Sequence, residues 1–230
     1  KEPNSLTTYV NPFIGTGGHG HTYPGASAPF GMIQLSPDSR LEGWDGCGGY
    51  HYSDSIIYGF SHTHLSGTGV SDYGDILLMP TTGELLLNNG ANGNPGYRSK
   101  FSHKNEQAKA GFYQVFLEDY NVNVELTVSK RAGFHKYTFP KNEDAQVILD
   151  LEHRDKLLDY KIEMIDSNTL QGIRYSDNWA RKQKVHFYMQ FSEPLRNITF
   201  NKKQSVAGIE FGVLDKSLII KVGVSAVSTD

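Results

Sequence analysis

The chain has 230 residues, the length of one large domain or two small ones. Of these residues 38% are hydrophobic and 12% aromatic, enough for a packed core. Its formal net charge is −3 and it has no basic run, so composition excludes an electrostatic binder of nucleic acid. No apolar run reaches the roughly 18 residues of a membrane span. A single cysteine, Cys47, excludes an internal disulfide.

The first 99 residues differ in composition from the rest of the chain. They hold five of the nine histidines and only three basic residues, and 14 of the 24 glycines lie between Gly15 and Gly74. A segment this rich in glycine forms little regular structure, while its many aromatic residues favour order. Long irregular segments in compact domains are commonly functional. We therefore predict long, ordered Gly/His-rich loops here.

Taken in chain order, the predicted elements are almost all strands. Apolar and polar residues alternate with a period of two, which is typical of half-buried strands. The predicted strands cover residues 31–36, 122–128, 145–151, 185–191 and 220–224. Residues 102–110 predict at most one or two helical turns. Turn sequences at 140–142, 166–168 and 201–203 separate the strands. Many short strands with frequent turns predict an all-β sandwich or barrel, in one domain over residues 1–230.

One motif, Gly15-Thr16-Gly17-Gly18-His19-Gly20, formally matches the dinucleotide-binding pattern G-x-G-x-x-G. That function requires a buried strand before the motif and a helix after it. Here Tyr23-Pro24-Gly25 follows, and proline prevents a helix at this point. The motif is better interpreted as a loop whose glycines adopt positive φ.

The pair His62 and His64 has three interpretations. Residues two apart on a strand point to the same face, so two imidazoles could bind zinc, with Asp72 or Asp75 as a third ligand. They could equally hydrogen-bond a polar ligand, or form an exposed pair on a solvated face. The sequence leaves these alternatives open.

Residues 38–45 contain the chemistry of sugar recognition. Asp38 and Asp45 can accept hydrogen bonds from vicinal hydroxyls, and Arg40 can donate to hydroxyl oxygens. Trp44 offers a flat apolar face for the C–H surface of a sugar ring. The competing interpretation is that Trp44 packs in the core and the acids are solvated.

The sequence does not identify a set of catalytic residues for hydrolysis. Asp72 and Asp75 are close in sequence, but sequence alone does not give the separation between their carboxyl groups that an inverting glycosidase requires. Ser61 lies in Gly59-Phe60-Ser61-His62-Thr63, which fails the G-x-S-x-G pattern at its last position. No Ser-His-Asp arrangement is identifiable.

Several strings occur together in an order that resembles the amino-terminal domain of glycoside hydrolase family 92, and the similarity covers nearly the whole chain. They are Asn11-Pro12-Phe13-Ile14-Gly15-Thr16-Gly17, Pro24-Gly25-Ala26, Pro29-Phe30-Gly31-Met32, Ser36-Pro37-Asp38, Gly49-Tyr50-His51-Tyr52, Gly59-Phe60-Ser61-His62-Thr63-His64-Leu65-Ser66-Gly67-Thr68-Gly69, and the run from Leu126 through His135-Lys136-Tyr137-Thr138-Phe139-Pro140.

The resemblance implies a large antiparallel β-sandwich, similar to galactose mutarotase, in a mainly bacterial family of calcium-dependent, inverting exo-α-mannosidases. In that family an (α/α)6 barrel on the carboxy-terminal side supplies the general acid, the general base and most calcium contacts. The chain ends at Asp230, where the family's sandwich gives way to helices. We therefore expect a non-catalytic half, with no catalytic residue and no metal ligand in this chain, and with calcium only in the full-length enzyme.

The same resemblance carries over a set of sugar-side positions from the loops: Phe30, Gly31, Asp38, Arg40, Trp44, Asp45, His62 and His64. The expected partners are a mannose-containing glycan and the (α/α)6 domain of the same protein, with no nucleic acid and no membrane span. The polar start, residues 1–5, fits what removal of a leader leaves, so a secreted, periplasmic or cell-surface location is expected. Alternative hypotheses are a free-standing carbohydrate-binding module and a mutarotase-like sugar epimerase.

Overall fold

The computed structural model of the chain describes residues 5–229. Lys1–Asn4 and Asp230 lie outside the described residues, and so do most of the polar start and the chain end discussed above. Within the described part, strands dominate and the helical content is limited to two short 3₁₀ helices, Leu6–Tyr9 and His103–Asn105. No helix in residues 5–229 is both long and apolar enough to cross a lipid bilayer.

Seventeen strands make up the described fold. In chain order they are β1 Ala26–Ser27, β2 Gln34–Asp38, β3 Ile56–Ile57, β4 Gly59–Ser61, β5 Leu77–Thr81, β6 Ser99–Lys100, β7 Glu106–Lys109, β8 Phe112–Leu117, β9 Val122–Val128, β10 Ala132–Thr138, β11 Asp144–Asp150, β12 Lys156–Asp166, β13 Thr169–Asp177, β14 Gln183–Phe191, β15 Asn197–Phe200, β16 Val206–Val213 and β17 Leu218–Ser225.

The strands form two large antiparallel sheets and one small one. The first has seven strands in the order β1-β2-β4-β5-β11-β16-β15, and the second has eight in the order β12-β13-β14-β17-β10-β9-β8-β7. Strands β3 and β6 form a separate pair. Contacts of β1 and β2 with β9 show that the two large sheets face one another. The expected all-β antiparallel sandwich is confirmed.

The core lies between the two sheets. In β9, residues 122, 124 and 126 are buried while 123 and 125 are only partly covered, as expected when one face packs inward. In β11, which lies inside its sheet between β5 and β16, six of seven residues are buried. Such side chains each contribute roughly 1.5–3 kcal/mol to stability through burial.

Most strand predictions are confirmed to within a residue or two, with two differences. The strand predicted at 31–36 begins at Gln34 and runs to Asp38. The helical turns predicted at 102–110 are limited to His103–Asn105, and β7 begins at Glu106. The buried Glu106 carboxylate accepts hydrogen bonds from the Tyr113 hydroxyl, at 2.6 Å, and from the Tyr50 hydroxyl, at 3.0 Å. These bonds hold Glu106 on the sheet, which outweighs local helix propensity.

The Gly/His-rich segment is ordered but largely irregular, as predicted. Only short strands interrupt residues 28–76, and glycines with positive φ, such as Gly46 at +72° and Gly49 at +101°, shape its turns. A side-chain Cβ at Gly49 would lie 2.3 Å from an Asp38 carboxylate oxygen, so only glycine fits there. Among the described residues, half of the 16 exposed large hydrophobic side chains lie between Leu6 and Tyr52.

Candidate functional site

The carboxylate of Asp38 is the centre of a fully buried polar network. It lies at the end of β2, and it accepts a hydrogen bond of 2.5 Å from the Ser61 hydroxyl. The Nε2 atoms of His64 and His153 lie 3.2 and 3.3 Å from its two oxygens. Burial raises the pKa of Asp38, but the two imidazoles outweigh burial and hold it well below its usual range. Asp38 is therefore a charged, internally paired group.

This network contains Ser61, His64 and Asp38, but it is not a nucleophilic triad. The Nδ1 of His64 donates to the Gln34 carbonyl at 2.7 Å, so its Nε2 alone faces both Asp38 and Ser61. In a triad the histidine lies between the other two groups, one at each ring nitrogen. Here Ser61 donates directly to Asp38, and the side chains of all three are buried. The arrangement braces the loop that follows β4.

His62 belongs to a second buried network that connects the two sheets. Its Nδ1 donates to the Ile76 carbonyl at 2.6 Å, and its Nε2 lies 3.0 Å from Nε2 of His135 on β10. The Tyr137 hydroxyl lies 2.7 Å from Nδ1 of His135. The Ile76 carbonyl can only accept, so Nδ1 of His62 carries the proton and Nε2 of His62 accepts from Nε2–H of His135. Nδ1 of His135 then accepts from the Tyr137 hydroxyl, and both imidazoles are neutral. Burial lowers the pKa of His62 to about 4.

The structure thus gives His62 and His64 different partners. Neither lies on a solvated face, since His62 is 0% and His64 5% exposed. Asp75, one of the two proposed zinc ligands, is fully buried and paired with Arg174. Among residues 5–229 no three His, Cys, Asp or Glu side chains come together as metal ligands.

The solvent-facing part of the candidate site is formed by Trp44, Asp45 and His19, with the largely covered His21 packed against them. These four residues are called here the Trp44 surface. Trp44 is 65% exposed, and its ring meets the His21 ring edge-on at 5.2 Å between centroids. The Asp45 carboxylate lies 3.1 Å from Nδ1 of His19. A flat aromatic face beside a carboxylate and an imidazole offers both C–H contact and hydrogen bonding. The exposure of Trp44 rules out its placement in the core.

Arg40 fixes the backbone of this surface by hydrogen bonds to Asp54 and to the Asp45 carbonyl. Its guanidinium forms a two-pronged bond with Asp54, with Nη2 at 2.5 Å from Oδ1 and Nε at 3.2 Å from Oδ2. A further nitrogen, Nη1, donates to the Asp45 carbonyl at 3.3 Å. The guanidinium is therefore engaged within the chain, where it fixes the backbone next to Trp44.

Arg154 holds the same loop at both ends. Its Nη1 donates to the Cys47 carbonyl at 2.9 Å and its Nη2 to the Arg40 carbonyl at 2.5 Å. The residue is only 6% exposed, and Arg174 donates in turn to its carbonyl oxygen. Residues 40–47 contain no helix or strand. The bonds from Arg154 therefore fix this loop in place of the backbone hydrogen bonds that a strand would make.

Replacing Arg154 by alanine is expected to loosen residues 40–49. Two charge-assisted hydrogen bonds would be lost, at a cost of about 1–3 kcal/mol in stability. Hydrogen exchange measured on peptides covering these residues should accelerate more than exchange in β11. Arg181→Ala is the matched control, because that side chain is 80% exposed. Unchanged exchange in residues 40–49 would show that the loop does not depend on Arg154.

The remaining predicted positions, Phe30 and Gly31, lie on a different loop from the Trp44 surface. Phe30 is fully exposed, with φ at +55°, and Gly31 packs against the backbone of Lys130 in the turn between β9 and β10. The eight predicted residues therefore fall into three groups: Asp38, His62 and His64 are buried, Arg40, Trp44 and Asp45 form or brace one surface, and Phe30 and Gly31 lie on another loop.

Sequence reasoning missed several members of the site. His19 and His21 lie in the glycine loop, whose high histidine content was the only local indication of them. Arg154 and His153 reach the loops from more than 100 residues away in sequence, so no local spacing reveals them. A contact of this kind becomes visible only when β11 is placed beside β5 in the sheet.

Comparison with known proteins relates this fold to glycosidases. A family model described as the glycosyl hydrolase family 92 N-terminal domain matches residues 9–225. A protein of Arthroderma benhamiae, described as an uncharacterized secreted glycosidase, is 31% identical over 144 residues, which is 58% of this chain and 17% of that protein.

Solved structures agree with the family match. A family GH92 α-mannosidase from Bacteroides thetaiotaomicron superposes with a TM-score of 0.92 at 37% identity, covering 98% of this chain and 34% of that one. A family GH92 inverting mannosidase from the same organism gives a TM-score of 0.83 at 27% identity, covering 99% of this chain and 32% of that one. The chain thus spans about a third of the length of these enzymes, and it belongs to glycosyl hydrolase family 92, matching its N-terminal domain.

Proposed function

We propose that this chain is the non-catalytic sandwich half of an exo-α-mannosidase and supplies one wall of the pocket for the terminal mannose. The single observation that carries the proposal is the Trp44 surface, an exposed aromatic face next to Asp45 and His19 on a loop fixed by Arg40 and Arg154. A fixed loop loses little conformational freedom when a sugar binds, which favours a role in orienting the substrate.

In this proposal Trp44, Asp45 and His19 each make a different contact with the sugar. The Trp44 ring covers the C–H face of the sugar and excludes water from it. The Asp45 carboxylate accepts hydrogen bonds from hydroxyls, while His19 donates to a hydroxyl oxygen. Asp38, His62 and His64, which have internal partners, hold the loops that carry these groups. The remaining sugar-side positions, Phe30 and Gly31, are proposed to border the same pocket in the full-length protein.

The rest of the proposal concerns the full-length protein. The acid, the base and the calcium ion are assigned to a following (α/α)6 domain, which would dock beside the Gly/His-rich loops. Calcium bound there would position the 2- and 3-hydroxyls of the mannose. A location outside the cytoplasm is also proposed, and it is supported by the relative described as a secreted glycosidase.

The two alternative functions fit the geometry less well. An epimerase of the mutarotase type needs a histidine pair that faces its substrate, whereas the close pair found here, His62 and His135, is fully buried with nitrogens bonded to each other. A free-standing binding module should bind mannosides strongly by itself. A single wall of a pocket should bind them only weakly, in the millimolar range, at roughly −4 kcal/mol.

Trp44→Ala tests the proposal directly. In the full-length enzyme this substitution should lower kcat/KM. The fall should correspond to a loss of about 1–3 kcal/mol in transition-state binding, as expected when a packed aromatic contact is removed. The melting temperature of the 230-residue chain should change little, because Trp44 is 65% exposed. Trp44→Phe is the matched control and should retain most of the activity. Wild-type kcat/KM in Trp44→Ala would contradict the assignment.

The 230-residue chain by itself is expected to show no α-mannosidase activity. The proposal places both catalytic groups in the following domain, so no acid–base pair flanks the bond to be cleaved. The assay uses an aryl α-mannoside or mannobiose with added calcium. Turnover that a chelator abolishes would show that the chain is catalytic and not half of a site.

A further inference from the structure

The second tryptophan of the chain, Trp179, is also exposed. It lies in the turn between β13 and β14 and is 60% exposed, close to the 65% of Trp44. Tryptophan is on average highly buried and is enriched among the residues that dominate binding interfaces, so an exposed tryptophan in an ordered turn is a candidate binding residue.

The turn that carries Trp179 is fixed on both sides of the ring. Before it, the Asn178 side-chain amide donates to the Ser71 carbonyl at 2.7 Å and to the Asp155 carboxylate at 2.8 Å. After it, the Ala180 amide donates to the Asp72 carboxylate at 2.7 Å. A ring presented on a fixed backbone loses little entropy when it binds, which is the preorganisation expected of a binding platform.

The same loop that anchors Trp179 also packs on Trp44. A Cβ at Gly69 would lie 2.6 Å from the Trp44 ring, so the Gly69 backbone rests against that ring. Ser71, which bonds to Asn178, lies two residues further on, at most about 7 Å away along the chain. One loop, residues 65–73, therefore joins the two exposed tryptophans on one edge of the sandwich.

A cavity of about 500 Å³ lies between this loop, the start of β14 and the end of β17, and neither tryptophan lines it. That volume is within the range of small-molecule sites. Hydroxyl, amide and ammonium groups alternate with apolar surface in its lining, a combination that suits the hydroxyls and C–H faces of a saccharide. The residues that carry this argument are Leu65, Ser66, Tyr73 and Lys184. Thr63 and Gln183 also line the cavity, but the Thr63 hydroxyl and the Gln183 amide are bonded to Asp75.

We propose that Trp179 is a second aromatic platform of the sugar-binding edge and contacts a mannose unit beyond the one that meets Trp44. The inference rests on the proposed function, since it takes the ligand to be a mannoside. It adds a residue that would distinguish oligosaccharides from monosaccharides, because only a longer ligand reaches the second ring.

The chain itself provides the test, because it contains two tryptophans and therefore gives two indole N–H signals in a ¹⁵N-correlated NMR spectrum. Trp44→Phe and Trp179→Phe assign the signals and keep an aromatic ring. The probes are methyl α-mannoside, the four α-linked mannobioses and an α-mannotriose, each to about 50 mM, because a half-site is expected to bind in the millimolar range. Cellobiose is the control.

Methyl α-mannoside should shift the Trp44 signal alone, and at least one mannobiose or the mannotriose should shift both. Trp179→Ala should weaken binding of that oligosaccharide about 2- to 10-fold and leave methyl α-mannoside unchanged. If Trp44 responds but Trp179 responds to no mannoside, the ring contacts protein and the inference fails while the proposed function stands. If neither signal moves, both fail, and an equal response to cellobiose would also overturn the inference.

Discussion

Arg174→Ala is expected to destabilise the chain by about 3–5 kcal/mol, the cost of leaving one partner of a buried ion pair alone. Arg174 and Asp75 are both fully buried and bonded to each other. Asp75 also accepts from the Thr63 hydroxyl and the Gln183 amide, each at 2.6 Å, so the carboxylate joins the His62–His64 loop to β14. Without the guanidinium, that carboxylate keeps its hydrogen bonds but loses its counter-charge.

Thermal and urea unfolding of the 230-residue chain measure this effect. A domain of this size loses about 2–4 °C per kcal/mol, so the melting temperature should fall by roughly 6–20 °C. Arg181→Ala removes the exposed ion pair with Asp177 and should cost less than about 1 kcal/mol. A loss below about 1 kcal/mol in Arg174→Ala would show that the pair is dispensable.

Acidification is expected to weaken the fold between about pH 6.5 and pH 4 through the His62–His135 pair. Burial lowers the pKa of His62 to about 4, and burial together with His62 lowers that of His135 well below its usual value. Both unfolded histidines have a pKa near 6.5, so the unfolded chain binds more protons in this interval and gains stability relative to the folded one. The stability that His62 contributes at neutral pH and that is lost once the pH falls below its folded pKa amounts to about 3 kcal/mol.

Three buried or partly buried carboxyl groups of residues 5–229 have shifted pKa values whose contributions must be distinguished from that of the histidines. One is Asp150, whose pKa burial raises, so that it opposes the histidine effect. The depressed pKa of Asp38 contributes stability that is present above about pH 4 and lost only below it. Asp155, whose pKa burial raises to about 6, acts in the opposite direction, because its folded form binds the extra proton. The partial exposure of Asp155 reduces this opposing contribution.

His62→Gln isolates the histidine contribution, because glutamine is polar and does not titrate. Unfolding free energies by urea at pH 7, 6, 5 and 4.5 should show wild type clearly more stable at pH 7 and the difference narrowing as pH falls. Asp155→Asn, measured in parallel, should leave that convergence intact. Curves for wild type and His62→Gln that stay parallel would contradict the assignment of the transition to this pair.

The sheet was predictable where burial of one face imposes a period of two. Residues 122–128 and 185–191 show that period, and they form β9 and most of β14. Strand β2 was displaced by three residues, because glycine and proline at 29–31 belong to a turn that rests on Lys130 and not to the sheet. That support comes from a part of the chain 100 residues away.

The sequence predicted which residue types belong to the candidate site, but not which of them face solvent. Trp44 and Asp45 are presented on the surface, whereas Asp38 and His64, which have the same kind of chemistry, face each other inside. The difference depends on Arg154 and His153, which occupy the space beneath the loops. Side chains from distant strands decide which polar groups face solvent, and a linear pattern does not contain that information.

The dependence of the loops on Arg154 also has a consequence for the order of folding. During synthesis from the N-terminus, the loop of residues 40–47 emerges more than 100 residues before the side chain that fixes it, since Arg40 and Arg154 are 114 residues apart. Contacts of such long sequence separation form late, because the cost of closing the intervening loop precedes any gain. A nascent chain that ends before Arg154 therefore lacks the two bonds that fix the Trp44 surface.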